Sequence, residues 1–173
     1  MNNKEYTNIV FIGLMGSGKT SIGKKVARIL GFQFIDTDEY VEKITGKKIS
    51  DIFKQEGELR FRSEETLALK RLSGETQHVI STGGGIIVKE ENRNLLKELG
   101  MIIYLEASVE KIFERVSGNK KRPLLKGTDV MQKIIELKNQ REHLYKEMAD
   151  LTVNTGEKSF DSVVQEIIRS LKR

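Results

Sequence analysis

The chain has 173 residues, enough for one domain with a buried core, and 30 Lys and Arg against 25 Asp and Glu give a net charge of +5. The absence of cysteine excludes disulfides, thiolate catalysis and cysteine-bound zinc. Because the sequence has no long apolar segment and no basic, apolar leader, we expect a cytoplasmic protein without a membrane partner. Basic and acidic residues are mixed throughout, which favours an anionic small molecule over nucleic acid as the ligand.

Apolar runs alternate with helical patterns along the whole chain. The strands are predicted at 8–12, 32–35, 78–81, 101–105 and 151–153. Helices are predicted from the first glycine-rich loop to Gly31, over 39–73 with breaks at 46–48 and 57, and over 90–99, 108–117, 129–149 and 159–171, with Ser50 and Asp129 as caps. This alternation predicts a three-layer α/β/α fold in which a central five-stranded parallel sheet forms one domain over 1–173.

The segment 13–20, Gly-Leu-Met-Gly-Ser-Gly-Lys-Thr, follows the first strand and opens the first helix. This is the context in which a phosphate-binding loop occurs, because bare backbone N–H groups at a helix N-terminus bind phosphate oxygens. Lys19 is expected at the β- and γ-phosphates, and Thr20 at Mg²⁺. The alternative, a flexible glycine turn, does not require a strand and a helix as flanks. The expected nucleotide-binding residues here are Gly13, Gly16, Ser17, Gly18, Lys19, Thr20 and Ser21.

Two carboxylates, Asp36 and Asp38, follow the second strand at alternate positions. Both lie at the carboxyl edge of the predicted sheet, where ligands bind in folds of this kind. One can orient Mg²⁺ through water, and the other can accept a proton from a substrate hydroxyl. The alternative is that Asp36 or Thr37 only caps the next helix.

A second glycine run, Gly83 to Gly85, follows the third strand and offers backbone N–H groups to a substrate, although a tight turn is equally compatible with it. Arg62 and Glu65 are neighbours on one helical face, either as a carboxylate-recognition pair or as an ordinary surface ion pair. The pattern around Arg141 indicates no role by itself. A basic segment at about 115–127, which contains Arg122, is expected to be a mobile lid over the site.

Together these segments resemble the shikimate kinase family of small P-loop kinases, which are related to nucleoside monophosphate kinases. The matching motifs, in chain order, are Gly-Leu-Met-Gly-Ser-Gly-Lys-Thr at 13–20, Asp-Thr-Asp at 36–38, Phe-Arg-x-x-Glu at 61–65, Thr-Gly-Gly-Gly at 82–85 and Arg-Pro-Leu-Leu at 122–125. The resemblance implies transfer of a phosphoryl group from ATP, with Mg²⁺, to the 3-hydroxyl of shikimate in aromatic amino-acid biosynthesis. It also implies a helical substrate-binding region at about 36–66.

On the acceptor side, the resemblance implies that Asp38 contacts the ring hydroxyls and is the candidate base. The shikimate carboxylate is expected at Arg62, Arg141 and the backbone of Gly84, and Gly83 and Gly85 are also expected to bind the substrate.

On the donor side, the resemblance makes Asp36 a ligand of Mg²⁺ through water. Lys19 and Arg122 would stabilise charge on the transferring phosphoryl group. Arg115 would lie against adenine, and the segment 153–155, Val-Asn-Thr, which contains Asn154, resembles the loop on the adenine side.

Three alternatives remain open from the residues alone. A gluconate or nucleoside monophosphate kinase shares the phosphate loop and the lid. A GTP switch is disfavoured because the segment 119–122, Asn-Lys-Lys-Arg, lacks the acid that would read guanine. A nucleic-acid-binding ATPase is suggested only by the pI of about 9.3. We expect a monomer that binds ATP and shikimate and no nucleic acid.

Overall fold

The computed structural model describes residues 7–117 and 129–172. Its strands are β1 (Asn8–Ile12), β2 (Gln33–Asp36), β3 (His78–Ser81), β4 (Met101–Glu106) and β5 (Leu151–Asn154). The α-helices are α1 (Lys19–Leu30), α2 (Thr37–Thr45), α3 (Ile49–Leu72), α4 (Glu90–Leu99), α5 (Val109–Ser117), α6 (Asp129–Met148) and α7 (Phe160–Leu171). A short 3-10 helix covers Ile86–Val88.

All five strands are parallel, in the order β2-β3-β1-β4-β5. The middle strand β1 is buried along its whole length, because helices cover both faces of the sheet. Alternate residues of β1 therefore face opposite layers: Val10 and Ile12 pack with α3, α4 and α6, whereas Ile9 and Phe11 pack with α1 and α7. The predicted three-layer fold class is confirmed.

A separate apolar cluster joins α2 to α3 at the side of the sheet, formed by Val41, Ile52, Phe61 and Ala68. This cluster packs the two helices that follow β2 against each other. Helix α3 is kinked at Gly57, whose backbone has φ 84° and ψ 173°, at the position where the sequence predicts a break.

The predicted cap at Ser50 is wrong. Helix α3 begins one residue earlier, at Ile49, and its N-cap Lys48 provides no side-chain hydrogen bond. The carboxylate of Glu42 on the preceding helix accepts the exposed Ile49 N–H at 3.0 Å instead. Asp129, also predicted as a cap, is the first residue of α6, and the position before it lies outside the described residues.

Within 7–117 and 129–172, no helix has the length and apolar character needed to cross a lipid bilayer. The predicted lid at about 115–127 extends from the end of α5 into residues that the structure does not describe, and Arg122 is one of these.

Candidate active site at the carboxyl edge of the sheet

The loop between β1 and α1 has a backbone that requires glycine. Gly13, Gly16 and Gly18 have φ values of 144°, 75° and 102°, which residues with a Cβ rarely adopt. At Gly13 the space is also closed, because a Cβ would lie 2.6 Å from the carbonyl oxygen of Leu105. The loop therefore has the fixed, glycine-dependent course of an anion-binding loop at the N-terminus of α1.

Lys19, the first residue of α1, points back over this loop. Its Nζ donates hydrogen bonds to the carbonyl oxygens of Gly13 at 2.7 Å and Leu14 at 2.8 Å, and lies 3.5 Å from Ser17 Oγ. The side chain is buried, so its positive charge is held at the loop where phosphate oxygens would arrive.

Asp36, at the end of β2, has two separate roles for its two carboxylate oxygens. Oδ1 accepts the backbone N–H groups of Asp38 at 3.0 Å and Glu39 at 3.4 Å, and so caps α2. Oδ2 accepts the hydroxyl of Thr20 at 3.0 Å. Capping and a role beside the phosphate loop are thus compatible, because each uses a different oxygen.

The pair of Thr20 and Asp36 suits Mg²⁺, which prefers hard oxygen ligands and usually keeps several waters. No group of three or more His, Cys, Asp or Glu residues that could hold a metal occurs in the described part of the chain. A magnesium ion here would therefore depend on phosphate and water for most of its coordination.

The three glycines after β3 each allow one close approach. A Cβ on Gly83 would lie 2.8 Å from Asp38 Oδ1, and one on Gly85 would lie 2.6 Å from both Nη atoms of Arg62. On Gly84, a Cβ would lie 3.3 Å from the carbonyl oxygen of Gly13 in the phosphate loop. The glycine run therefore does more than form a turn. Because it has no side chains, Asp38, Arg62 and the phosphate loop can all approach its backbone.

Thr37, which is completely buried, fixes this glycine run to the start of α2. Its hydroxyl accepts the N–H of Gly83 at 3.0 Å. From the sequence, Thr37 is expected only as a possible cap of α2, although its place between the two aspartates was a signal for a role in the site.

Arg62 is held from two sides by carboxylates on its own helix. Its Nη1 donates to Glu65 Oε2 at 2.7 Å, and its Nε and Nη2 donate to Glu58 Oε1 at 3.3 and 3.0 Å. Glu58 is exposed, but the side chain of Glu65 is only 1% exposed, so the Arg62–Glu65 pair is not an ordinary surface ion pair.

Burial raises the pKa of Glu65 to about 7, although Arg62 opposes this shift. The nearby carboxylate of Asp38 adds to the rise, and Arg141 opposes it. The electrostatic effects of Asp38 and Arg141 on this one carboxyl group indicate that α2, α3 and α6 meet at a single site.

Helix α6 contributes Arg141 and, one turn later, Tyr145. The hydroxyl of Tyr145 donates to the carbonyl oxygen of Gly84 at 2.5 Å, and its ring stacks on Tyr104 with 5.1 Å between centroids. Burial raises the pKa of Tyr145 to about 12. The sequence analysis missed Tyr145, although its spacing of four residues from Arg141 places both on one helix face.

The Nε atom of Arg141 is buried and has no hydrogen-bond partner in the described part of the chain. A buried cationic donor of this kind is stabilised when an anion reaches it. Arg62 and Arg141 thus both lie near the carboxyl group of Glu65, and Arg62 also contacts Gly85 in the glycine run.

At the other end of the phosphate loop, Arg115 of α5 donates to the carbonyl oxygen of Gly16 at 3.1 Å and to the hydroxyl of Thr155 at 3.1 Å. Asn154 shapes the loop after β5, since its Oδ1 accepts the N–H of Gly156 at 2.8 Å. The structure thus brings the two residues expected on the nucleotide side into one region. Ser21 lies in the first turn of α1 and is exposed.

The family model described as shikimate kinase matches residues 15–172 of this chain. A shikimate kinase of Pelotomaculum thermopropionicum is 47% identical over 165 residues, which are 95% of this chain and 95% of that protein. One from Thermodesulfovibrio yellowstonii is 45% identical over 166 residues, 96% of this chain and 95% of that protein.

Among solved structures, a shikimate kinase of Acinetobacter baumannii in complex with shikimate matches with a TM-score of 0.90 and 37% identity. The match covers 98% of this chain and 94% of that chain. A shikimate kinase of Aquifex aeolicus matches with a TM-score of 0.79 and 40% identity, over 95% of this chain and 96% of that one.

Proposed function

This chain belongs to the shikimate kinase family, and from that membership we propose that it transfers the γ-phosphoryl group of ATP to the 3-hydroxyl of shikimate. The products are shikimate 3-phosphate and ADP, and the step belongs to aromatic amino-acid biosynthesis. One observation of the site carries the proposal: two guanidinium groups and an acid meet at a glycine run that touches the phosphate loop.

The acceptor is recognised first by its charge. Arg62 and Arg141 provide donors that suit a carboxylate, and the buried Nε of Arg141 favours an anion over a neutral sugar. Backbone N–H groups of Gly84 and Gly85 complete the carboxylate side, since the N–H of Gly83 is already donated to Thr37. An uncharged acceptor would leave the buried Nε of Arg141 without an anionic partner, and this is the basis of selectivity.

Asp38 holds the reacting hydroxyl. Its carboxylate, in the first turn of α2, lies against Gly83 in the same site as the two arginines. Asp38 accepts the proton of the 3-hydroxyl as the new oxygen–phosphorus bond forms, or it orients that hydroxyl for attack. Alignment of this oxygen with the γ-phosphorus is most of what phosphoryl transfer requires from a protein.

The donor occupies the phosphate loop. Backbone N–H groups of the loop and the charge of Lys19 bind the phosphates, and the Thr20 hydroxyl with Asp36 holds Mg²⁺ directly or through water. When bound, Mg²⁺ neutralises charge on the phosphate oxygens. Arg122 lies outside the described residues. We propose that it acts beside Lys19 as a second cation that stabilises charge on the transferring phosphoryl group.

The proposed enzyme works as a cytoplasmic monomer built from one domain, with the acceptor region at about 36–66 and no nucleic-acid or membrane partner. The nucleotide base lies between Arg115 and the loop that contains Asn154. The roles of Arg115 and Asn154 come from the family resemblance and from the position of these residues at one end of the phosphate loop.

A panel of acceptors tests the function directly, with ADP release measured by a coupled assay. The panel contains shikimate, the methyl ester of shikimate, gluconate and nucleoside monophosphates, and GTP replaces ATP in a parallel series. We expect turnover with ATP and shikimate, and a large loss with the ester because its carboxylate charge is gone. Faster turnover of gluconate or of a nucleotide than of shikimate would reject the proposal.

A further inference from the structure

Thr155 joins three parts of the nucleotide end of the site. Its hydroxyl accepts a hydrogen bond from Arg115 Nη1 at 3.1 Å and lies 3.0 Å from the carbonyl oxygen of Ser17 and 3.2 Å from that of Glu106. Its carbonyl oxygen accepts Nη2 of the same arginine, and its N–H donates to Glu106 at 2.8 Å. The residue is 3% exposed.

A threonine hydroxyl has one proton to donate and lone pairs to accept with. At Thr155 it accepts from Arg115, so its own proton is available to the carbonyl oxygens of Ser17 and Glu106. The contact with Ser17 is buried and those with Arg115 and Glu106 are partly buried, so loss of the hydroxyl would leave polar groups unsatisfied.

The contact with Ser17 reaches the phosphate loop through a single peptide group. Because that peptide is planar and trans, a carbonyl oxygen fixed towards Thr155 turns the N–H of Gly18 to the opposite side. Gly18 is the N-cap of α1, where N–H groups bind anions. Arg115 holds the preceding carbonyl, that of Gly16, in the same way.

We propose that Thr155 is a positioning residue for nucleotide binding. Its hydroxyl sets the orientation of the Ser17–Gly18 peptide and holds the guanidinium edge of Arg115, so that the flat face of this group is available to the base. The inference deepens the proposed function and rests on it for the identity of the nucleotide. Thr155 itself does not contact the phosphates.

The test measures binding of ADP with Mg²⁺ to the full chain by calorimetry, without an acceptor. In Thr155→Val, which keeps the size of the side chain and removes the hydroxyl, we expect the Kd for ADP to rise about tenfold. Thr155→Ser restores the hydroxyl and is expected to bind within about twofold of the unchanged protein. Thr152→Val, at an exposed position of the preceding strand β5, is the matched control and should also bind within about twofold.

Shikimate binding to the same variants separates positioning from a general effect on folding. Its Kd should stay within about twofold in Thr155→Val, because the acceptor residues belong to other elements. Equal ADP affinity in Thr155→Val and the unchanged protein would overturn the proposal. Equal losses of ADP and shikimate affinity in Thr155→Val would also overturn it, as would ADP binding by Thr155→Ser that is as weak as that of Thr155→Val.

If Thr155→Val does not fold, Thr155→Cys replaces it, since a thiol is a poorer hydrogen-bonding group. ADP binding weaker than that of Thr155→Ser would then support the inference, and binding as tight as that of Thr155→Ser would overturn it. If the unchanged protein binds ADP but does not bind shikimate, the proposed acceptor is rejected. The ADP measurements would then still test the role of Thr155.

Discussion

Gly85 and Arg62 are in such close contact that no larger residue fits at position 85 without moving the guanidinium. A Cβ there would lie 2.6 Å from Nη1 and Nη2, well inside contact distance. The backbone of Gly85, with φ −92° and ψ −4°, is one that alanine adopts without strain. Glycine is needed at this position for the space that Arg62 occupies and not for its conformational freedom.

Gly85→Ala therefore tests Arg62 without removing it. We expect the KM for shikimate to rise about tenfold or more, because the displaced guanidinium no longer meets the carboxylate, while the KM for ATP stays within about twofold. Steady-state kinetics with each substrate varied in turn measures both values. Equal increases in the two KM values would contradict a specific role for Arg62 in acceptor binding.

The two tasks of Asp36 can be separated with Asp36→Asn. Asparagine is as good an N-cap as aspartate, so the free energy of unfolding should change little. Its neutral oxygen is a poorer partner for Mg²⁺, and we expect the Mg²⁺ concentration for half-maximal activity to rise about tenfold. Titration of activity with Mg²⁺, beside urea unfolding, measures the two effects. A large loss of stability with unchanged Mg²⁺ dependence would mean that capping is the main role of Asp36.

Much of the fold could be predicted from the sequence, because most strands are short apolar runs and helices such as α1, α5 and α7 have a clear apolar periodicity. The first strand, for example, was predicted at 8–12 and is Asn8–Ile12. The order of strands could not be predicted, since it depends on pairing between distant segments. Ser50 was wrongly predicted as a cap because Glu42, on the preceding helix, supplies the bond that a local cap would make.

For the site, the motifs indicated which residues meet but not what holds them. The pairing of Arg62 with Glu65 follows from helix spacing, whereas the contact of Arg62 with Gly85 crosses between elements and has no local signal. Tyr145 and Thr155 are buried and polar, and their importance depends on backbone carbonyls that a sequence pattern does not identify. The roles given to the site residues remain predictions for the experiments described here.

Asp38→Asn tests the acid at the reacting hydroxyl. Asparagine keeps the shape of the side chain and removes the charge, so ADP should bind as before, whereas kcat should fall at least about a hundredfold. Single-turnover measurements with saturating ATP and shikimate separate this loss from any change in product release. Retention of most of the rate would show that Asp38 neither removes the proton nor aligns the oxygen.

Glu65 makes stability depend on pH in an unusual direction. Burial raises its pKa from 4.5 to about 7, against the opposing effect of Arg62. Between these two values the folded protein keeps a proton that the unfolded chain has lost. The contribution of Glu65 to stability is therefore fully present below about pH 4.5, decreases as the pH rises towards 7, and does not change further above the folded pKa.

Glu65→Gln removes the titrating group and should remove this decrease. Relative to the variant, the unchanged protein is expected to lose up to about 3 kcal/mol of unfolding free energy between pH 4.5 and 8. Urea unfolding at several pH values measures the difference between the two proteins, in which the other titrating groups largely cancel. Glu58→Gln, which removes the exposed partner of Arg62, is the control and should keep the pH dependence of the unchanged protein. If Glu65→Gln also kept that dependence, Glu65 would not be the group that keeps its proton in the folded protein. The ion pair with Arg62 would then lower the pKa of Glu65 by more than burial raises it.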